Sequence, residues 1–168
     1  EFPGLGTRQI LVRYYPIDAL RGERRIGAVI TDITDVRAAE AELARQRQLL
    51  AIAGRTAAVG GWVVELGSEV VTWSDVTAEI HAMPHGYSPS IDEGFHFYAP
   101  EFRDRIREIF TACAEHGQPF DEEFQIIDGD GQRRWVRAVG EPLRDDDGTI
   151  VKVQGSFQDI TERKSLEF

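Results

Sequence analysis

The chain has 168 residues, of which 42% are hydrophobic and 29% are charged, and its formal net charge is −10. This length suits one domain with an appendage, and the apolar fraction is large enough to build a core. The negative charge argues against a nucleic-acid-binding protein, because such proteins need a basic face.

The only cysteine is Cys113, which excludes an internal disulfide and a cysteine-based zinc cluster. A single thiol favours a reducing compartment, so we expect a cytoplasmic location. No stretch of about 18 apolar residues is present, so we expect no direct insertion into a membrane. No secretory signal pattern is visible either.

The N-terminal part contains two β-like segments, Gln9–Pro16 and Arg25–Asp32, joined by a loop around Arg21-Gly22. They predict a β-hairpin. A hairpin alone is marginally stable and leaves its strand edges unpaired. We therefore expect it to pack on a second chain or on a neighbouring domain.

Residues 35–58 contain no proline and are rich in strong helix formers, so they predict a helix. Val36, Leu43 and Leu50 lie seven residues apart and form a short heptad pattern. Two interpretations stay open. The helix lies on its own domain, or it pairs in parallel with a second copy as the linker of a homodimer.

Residues 61–66 alternate between apolar and polar positions, and together with Glu69–Ser74 they predict a second hairpin. Ser74 is expected to cap a short helix over Asp75–Ala82. Residues 83–100 are expected to be irregular.

A longer helix is predicted over Pro100–His116, and Gly117 is expected to end it. Its apolar stripe includes Ile106, Phe110 and Cys113. This spacing indicates a core position for Cys113 rather than a reactive thiol.

Three β-like segments follow, over residues 120–128, 132–143 and 149–159, and Asp-Gly turns separate them. Such turns between apolar-rich segments predict an antiparallel meander. The last segment ends in Asp159-Ile160-Thr161, where we expect a helix to begin with Thr161 as its N-cap.

These elements together predict an α+β fold. It consists of a five-stranded antiparallel sheet with helices on one face, preceded by a linker helix and a β-hairpin.

Asp32-Ile33-Thr34 repeats Asp159-Ile160-Thr161 at an offset of 127 residues. With one insertion or deletion, Pro16-Ile17 also falls near Pro142-Leu143. We interpret the N-terminal hairpin as the last two strands of a preceding domain of the same kind.

Residues from about 50 to 164 resemble a PAS domain. The matching motifs are Gly61-Trp62, Thr72-Trp73-Ser74, Asp130-Gly131, Arg134-Trp135-Val136 and Asp159-Ile160-Thr161-Glu162-Arg163. Where related sequences often read His-Pro-Glu-Asp, this chain has Ala99-Pro100-Glu101-Phe102. The resemblance implies four parts: the remnant of a preceding PAS domain at 1–34, a weak coiled-coil linker helix at 35–58, a PAS domain at 59–163, and the start of an output helix or a tag at 164–168.

A PAS domain holds any ligand between its sheet and its helices, so the apolar and aromatic side chains there either line a pocket or fill a core. Both interpretations stay open. The candidate lining residues are Trp62, Trp73, Ile80, His81, Phe95, Phe97, Phe110, Phe124, Trp135 and Phe157.

Some PAS domains bind haem through a histidine, and His81 and His96 are the best candidates for that role here. Light-sensing flavin PAS domains carry a reactive cysteine in an Asn-Cys-Arg-Phe-Leu-Gln motif, which this sequence lacks. We expect no cofactor, with haem or flavin as the alternative. No metal-ligand spacing and no catalytic motif occurs, so we expect no enzymatic activity in this chain.

The resemblance also implies that Asp159 and Thr161 pass changes in the sheet to the output helix, and that Asp32 and Thr34 do so upstream. We therefore expect a non-catalytic sensor, relay and dimerisation module that serves a histidine kinase or cyclic-di-GMP enzyme in the same parent chain. A small-molecule ligand is an expected partner. The alternatives are a structural dimerisation scaffold and a redox or gas sensor that carries haem or flavin.

Overall fold

The computed structural model describes residues 6–18 and 24–167. The chain divides into two compact units, Glu1–Ala51 and Ile52–Phe168. The predicted loop around Arg21-Gly22 lies outside the described residues. Within the described ranges, no helix is long and apolar enough to cross a membrane.

The first unit contains the predicted hairpin, formed by β1 (Ile10–Asp18) and β2 (Arg24–Asp32) in antiparallel pairing. Helix α1 follows over Thr34–Thr56 and has no buried residue. Large apolar side chains of the hairpin are exposed, including Tyr14 at 73% and Ile26 at 74%.

The second unit contains one five-stranded sheet in the order β4-β3-β7-β6-β5, with antiparallel pairing between all neighbours. This confirms the predicted fold class and the predicted C-terminal meander. The strands are β3 (Val59–Glu65), β4 (Val70–Trp73), β5 (Phe120–Ile127), β6 (Arg133–Arg144) and β7 (Ile150–Asp159).

Helices α2 and α4 pack on the sheet, where α2 contacts β3 and β7 and α4 contacts β6 and β7. Ser74 is the N-cap of α2, as expected. Gly117 ends α4 with a left-handed φ of 71°, which favours glycine. The helices that follow α1 in the chain are α2 (Asp75–Ile80), α3 (Ile91–His96), a 3₁₀ turn (Pro100–Phe102), α4 (Arg103–His116) and α5 (Thr161–Leu166).

Residues 83–100 are not irregular throughout, because α3 lies within them. Its N-terminus is a capping box in which Ser90 Oγ accepts from the Glu93 backbone N at 3.1 Å. The Glu93 carboxylate accepts from the Ser90 backbone N at 2.8 Å in return. The Ser-x-x-Glu pattern is visible in the sequence and would have located this helix.

The core lies between the sheet and α4, and Phe124, Ile126 and Val153 are among its fully buried side chains. Cys113 is 0% exposed within this core, which confirms its predicted core position. Phe120 lies against Gly140 on the neighbouring strand, where any Cβ would collide with the phenyl ring. The absence of a side chain at Gly140 thus makes room for the Phe120 ring.

Candidate functional site: an aromatic cavity and a strand-to-helix junction

A cavity lies between the sheet and the helices of the second unit. It contains about 530 Å³ of space that no atom fills, part of which is open to solvent. Six of the candidate lining residues contribute to its wall: Trp62, Trp73, His81, Phe95, Phe110 and Phe157.

Four other candidates do not line the cavity. Ile80 and Phe124 are buried in the core instead. Phe97 is not among the lining residues, and its ring lies 5.0 Å from the His81 ring. Side chains alternate along β6 and Val136 faces the core, so Trp135 lies on the other face, 5.2 Å from Lys164 Nζ.

Several lining residues were missed by sequence analysis: Val64, Val71, Thr77, Tyr98, Ile106 and Phe120. The alternation of β3 is a signal for Val64, because it shares a face with Trp62. Tyr98 has no comparable signal, since its position depends on the path of the chain after α3.

His81 is a buried polar group of the cavity wall and is 2% exposed. Its ring stacks on Trp73 at 4.1 Å, and Nδ1 lies 2.7 Å from the backbone oxygen of Thr77. Because a carbonyl only accepts hydrogen bonds, Nδ1 carries the proton and Nε2 keeps its lone pair. Burial lowers the pKa of His81 to about 4, so the ring is neutral near pH 7.

The structure does not bring the two candidate haem ligands together. His96 does not line the cavity, and its Nδ1 lies 2.7 Å from the backbone oxygen of Asp92. Cys113, the only thiol, is also not part of the wall. Among the lining residues, no cation is present for the carboxylates of haem or the phosphate of a flavin nucleotide.

The turn between β5 and β6 connects the cavity wall to the sheet. The backbone N of Gly129 donates to the backbone oxygen of His81 at 2.7 Å. The preceding residue, Asp128, is 4% exposed and accepts from the backbone N of Asp130 and Gln132 at 3.0 and 2.8 Å.

Arg134 Nε donates to Asp128 at 2.7 Å. Burial disfavours the charged form of Asp128, but Arg134 and the two backbone N–H groups outweigh it and hold the pKa of this carboxyl below its usual range. Asp128 therefore remains ionised inside the fold at neutral pH.

The same guanidinium reaches the start of α5, because Arg134 Nη1 lies 3.2 Å from Asp159 Oδ2. Asp159 Oδ1 accepts from the Thr161 backbone N at 2.9 Å. The expectation that Thr161 is the N-cap is wrong, since the N-cap is Ile160. The Thr161 hydroxyl accepts instead from the Trp135 backbone N at 3.0 Å. Trp135 directly precedes Val136, the first residue of β6 that pairs with β7.

The first unit contains the same junction. Arg8 Nη1 donates to Asp32 Oδ2 at 2.9 Å, and Asp32 Oδ1 accepts from the Thr34 backbone N at 3.0 Å. The Thr34 hydroxyl accepts from the Gln9 backbone N at 2.9 Å. Each contact has a counterpart at the start of α5, so two copies of one arrangement begin α1 and α5.

The β1–β2 hairpin also has the same register as the β6–β7 hairpin. The pair Ile10–Asp32 in β1–β2 corresponds to Val136–Asp159 in β6–β7. In the same way, Pro16–Ile26 corresponds to Pro142–Val153. In the second unit, the face that contains Val153 and Phe157 is buried in the core, whereas its counterpart in the first unit is exposed. The N-terminal hairpin thus presents an uncovered apolar face.

A model of the PAS fold family matches residues 70–157. The sensor protein FixL of Bradyrhizobium diazoefficiens is 28% identical over 109 residues, which cover 65% of this chain and 22% of that protein. Across three of the curated relatives that it matches, this chain spans only 20–25% of the relative's length.

Two solved structures are also similar. A sensory box histidine kinase/response regulator from Burkholderia thailandensis is 25% identical with a TM-score of 0.56, covering 70% of this chain and 88% of that one. The N-terminal domain of a diguanylate cyclase with PAS/PAC sensor from Marinobacter aquaeolei is 19% identical. Its TM-score is 0.59, covering 63% of this chain and 98% of that one.

Proposed function

This chain belongs to the PAS family, and we propose that residues 59–163 act as a non-catalytic sensor and relay module within a longer signalling protein. Its partner in that protein is an effector of the histidine kinase or cyclic-di-GMP type, working in the cytoplasm. The similarity to a sensor protein and to a sensory histidine kinase supports this proposal.

The observation that carries the proposal is a continuous set of hydrogen bonds from the cavity to α5. It begins at His81, whose backbone oxygen binds the turn at Gly129. It continues through the Asp128–Arg134 and Arg134–Asp159 ion pairs, and it ends at the backbone N of Thr161. A change in the position of His81 therefore has a physical route to the start of the output helix.

The mechanism is a shift between two populations rather than a large movement. A ligand that prefers one position of His81 favours one arrangement of the Asp128 turn, and Arg134 transmits that preference to Asp159. The size of the response is limited by the difference in ligand affinity between the two arrangements.

Asp159→Ala tests this route. We expect the response of effector activity to the input to fall about fivefold or more in the longer protein. Stability falls by only about 1 kcal/mol, because the substitution removes a helix-start hydrogen bond and one partly exposed ion pair. Effector assays give the first quantity and urea unfolding of this chain gives the second.

The matched control is Asp121→Ala, which removes an exposed Asp–Arg pair with Arg137 on the same sheet. It is expected to leave the response unchanged. An Asp159→Ala protein that responds like the wild type would contradict the relay.

We also propose that the N-terminal hairpin is the end of a preceding PAS domain in the same longer protein. The shared register and the repeated junction support this proposal. The apolar face at Ile10, Ile26 and Ile30 then packs on the rest of that domain, as the equivalent face does in the second unit. Signals enter through Asp32 and Thr34 and leave through Asp159 and Thr161.

A homodimer through α1 is the third part of the proposal. Val36, Leu43 and Leu50 are 57%, 48% and 73% exposed, so one stripe of the helix remains available for a second copy. Leu43→Glu is expected to weaken dimerisation by about tenfold or more, because it places charge in the apolar stripe. Analytical ultracentrifugation measures the change.

Gln48→Glu introduces the same charge outside the Val36–Leu43–Leu50 stripe and should leave the dimer intact. Equal effects of the two substitutions would exclude α1 as the dimer contact.

A further inference from the structure

The cavity wall contains two pairs of stacked rings. Trp73 and His81 stack at 4.1 Å with 22° between their planes, and Trp62 and Phe120 lie 6.2 Å apart with 17° between theirs. All four side chains line the same space. Nearly parallel ring pairs present flat apolar surfaces, which favour a flat aromatic guest.

The wall is also uncharged. No lysine, arginine, aspartate or glutamate is among its lining residues. His81 is neutral because burial depresses its pKa, and Tyr98 is neutral because burial raises its pKa. Moving a charged group into such a space without a partner is costly, so a charged ligand is disfavoured.

Among the residues that the structure describes, three side-chain polar atoms of this wall make no hydrogen bond: Trp73 Nε1, Tyr98 Oη and His81 Nε2. Only His81 Nε2 accepts without being able to donate. His81 Nδ1 is bonded to Thr77, while Nε2 makes no hydrogen bond within residues 6–18 and 24–167. In those ranges, every fully buried side-chain nitrogen or oxygen is hydrogen-bonded. Nε2 therefore retains some accessible surface, and the cavity is the space that His81 lines.

We infer that the cavity binds an uncharged, flat aromatic molecule, which donates one N–H or O–H hydrogen bond to His81 Nε2. This inference rests on the sensor role proposed above and names the chemical class that the sensor detects. The stacked rings hold the flat body of the ligand, and His81 Nε2, which accepts but cannot donate, favours molecules that carry a donor.

Indole and benzofuran provide the test, because they share a shape and differ at one ring atom, an N–H donor in indole and an oxygen in benzofuran. Titration calorimetry on the 168-residue chain is expected to give a Kd for indole about tenfold lower than for benzofuran. His81→Phe keeps a ring beside Trp73 but removes Nε2, and it is expected to abolish this difference.

His96→Phe makes the same substitution at a histidine that does not line the cavity, and it is expected to keep the preference for indole. The inference is overturned if neither compound binds, if benzofuran binds as tightly as indole, or if His81→Phe retains the preference. It is also overturned if added haem gives an absorption band that the His81 substitution abolishes. The comparison of the two ligands in the wild-type protein does not depend on the folding of any variant.

Hydrogen exchange of residues 161–166 in the same samples separates this inference from the proposed relay. Preferred binding of indole without a change in exchange supports the ligand class and overturns the relay. Absence of indole binding, together with a loss of the effector response in Asp159→Ala, overturns the ligand class and supports the relay.

Discussion

Replacing Asp128 with alanine is expected to lower the free energy of unfolding by about 3 kcal/mol. The carboxylate is buried, and it accepts from two backbone N–H groups and from Arg134. Removing it leaves these donors without their acceptor and frees the Arg134 guanidinium from its shorter ion pair. Urea unfolding of the 168-residue chain, followed by circular dichroism, measures the change.

Asp145→Ala is the matched control, because Asp145 Oδ1 accepts from the backbone N of Asp147 and Thr149 in the same kind of turn. It is exposed, and no salt bridge within the described residues involves it, so its loss should cost about 1 kcal/mol. Equal losses of unfolding free energy at the two turns would show that Arg134 and burial add no stability at Asp128.

The stability of the fold is expected to fall by about 2 kcal/mol between pH 7 and pH 5 through His81 alone. The pKa of this side chain is about 4 in the folded protein and 6.5 when unperturbed. Between these values the unfolded chain binds a proton that the folded chain does not, so stability decreases as the pH falls. Urea unfolding at pH 7, 6 and 5 measures the slope.

His81→Phe is expected to remove this slope, whereas Tyr98→Phe is expected to keep it, because a tyrosine with a raised pKa does not titrate between pH 5 and 7. The carboxylates whose pKa values are lowered, such as Asp128 and Asp121, lose their contribution only below about pH 4. An unchanged slope in His81→Phe would show that the imidazole is not held neutral by the fold.

The regular elements could be predicted because their signals are local. Asp-Gly turns determine where the meander reverses, and Ser74, Pro100 and Gly117 mark helix ends through their own backbone and side-chain chemistry. The same reasoning could have located α3, since the capping box of Ser90 and Glu93 lies within four residues.

The sequence alone also contained the repeat of Asp-Ile-Thr at Asp32 and Asp159, and with it the existence of two junctions. The partners within each junction depended on the tertiary structure. Arg134 joins Asp128 and Asp159 because β6 and β7 pair in one particular register, and that register follows from the packing of a whole sheet face. The Thr161 hydroxyl bonds a neighbouring strand rather than its own helix for the same reason.

Only the fold, likewise, decided which aromatic residues line the cavity and which lie in the core or on the outer face of the sheet. Composition indicates that Trp62, Phe124 and Trp135 are apolar and large, which suits a core and a cavity wall equally. Whether such a ring faces the cavity, the core or the outer face of the sheet depends on strand alternation and on how α2, α3 and α4 pack. The orientation of His81 was also decided only by the fold. The packed helix and Trp73 hold the ring so that one nitrogen is hydrogen-bonded and Nε2 is not.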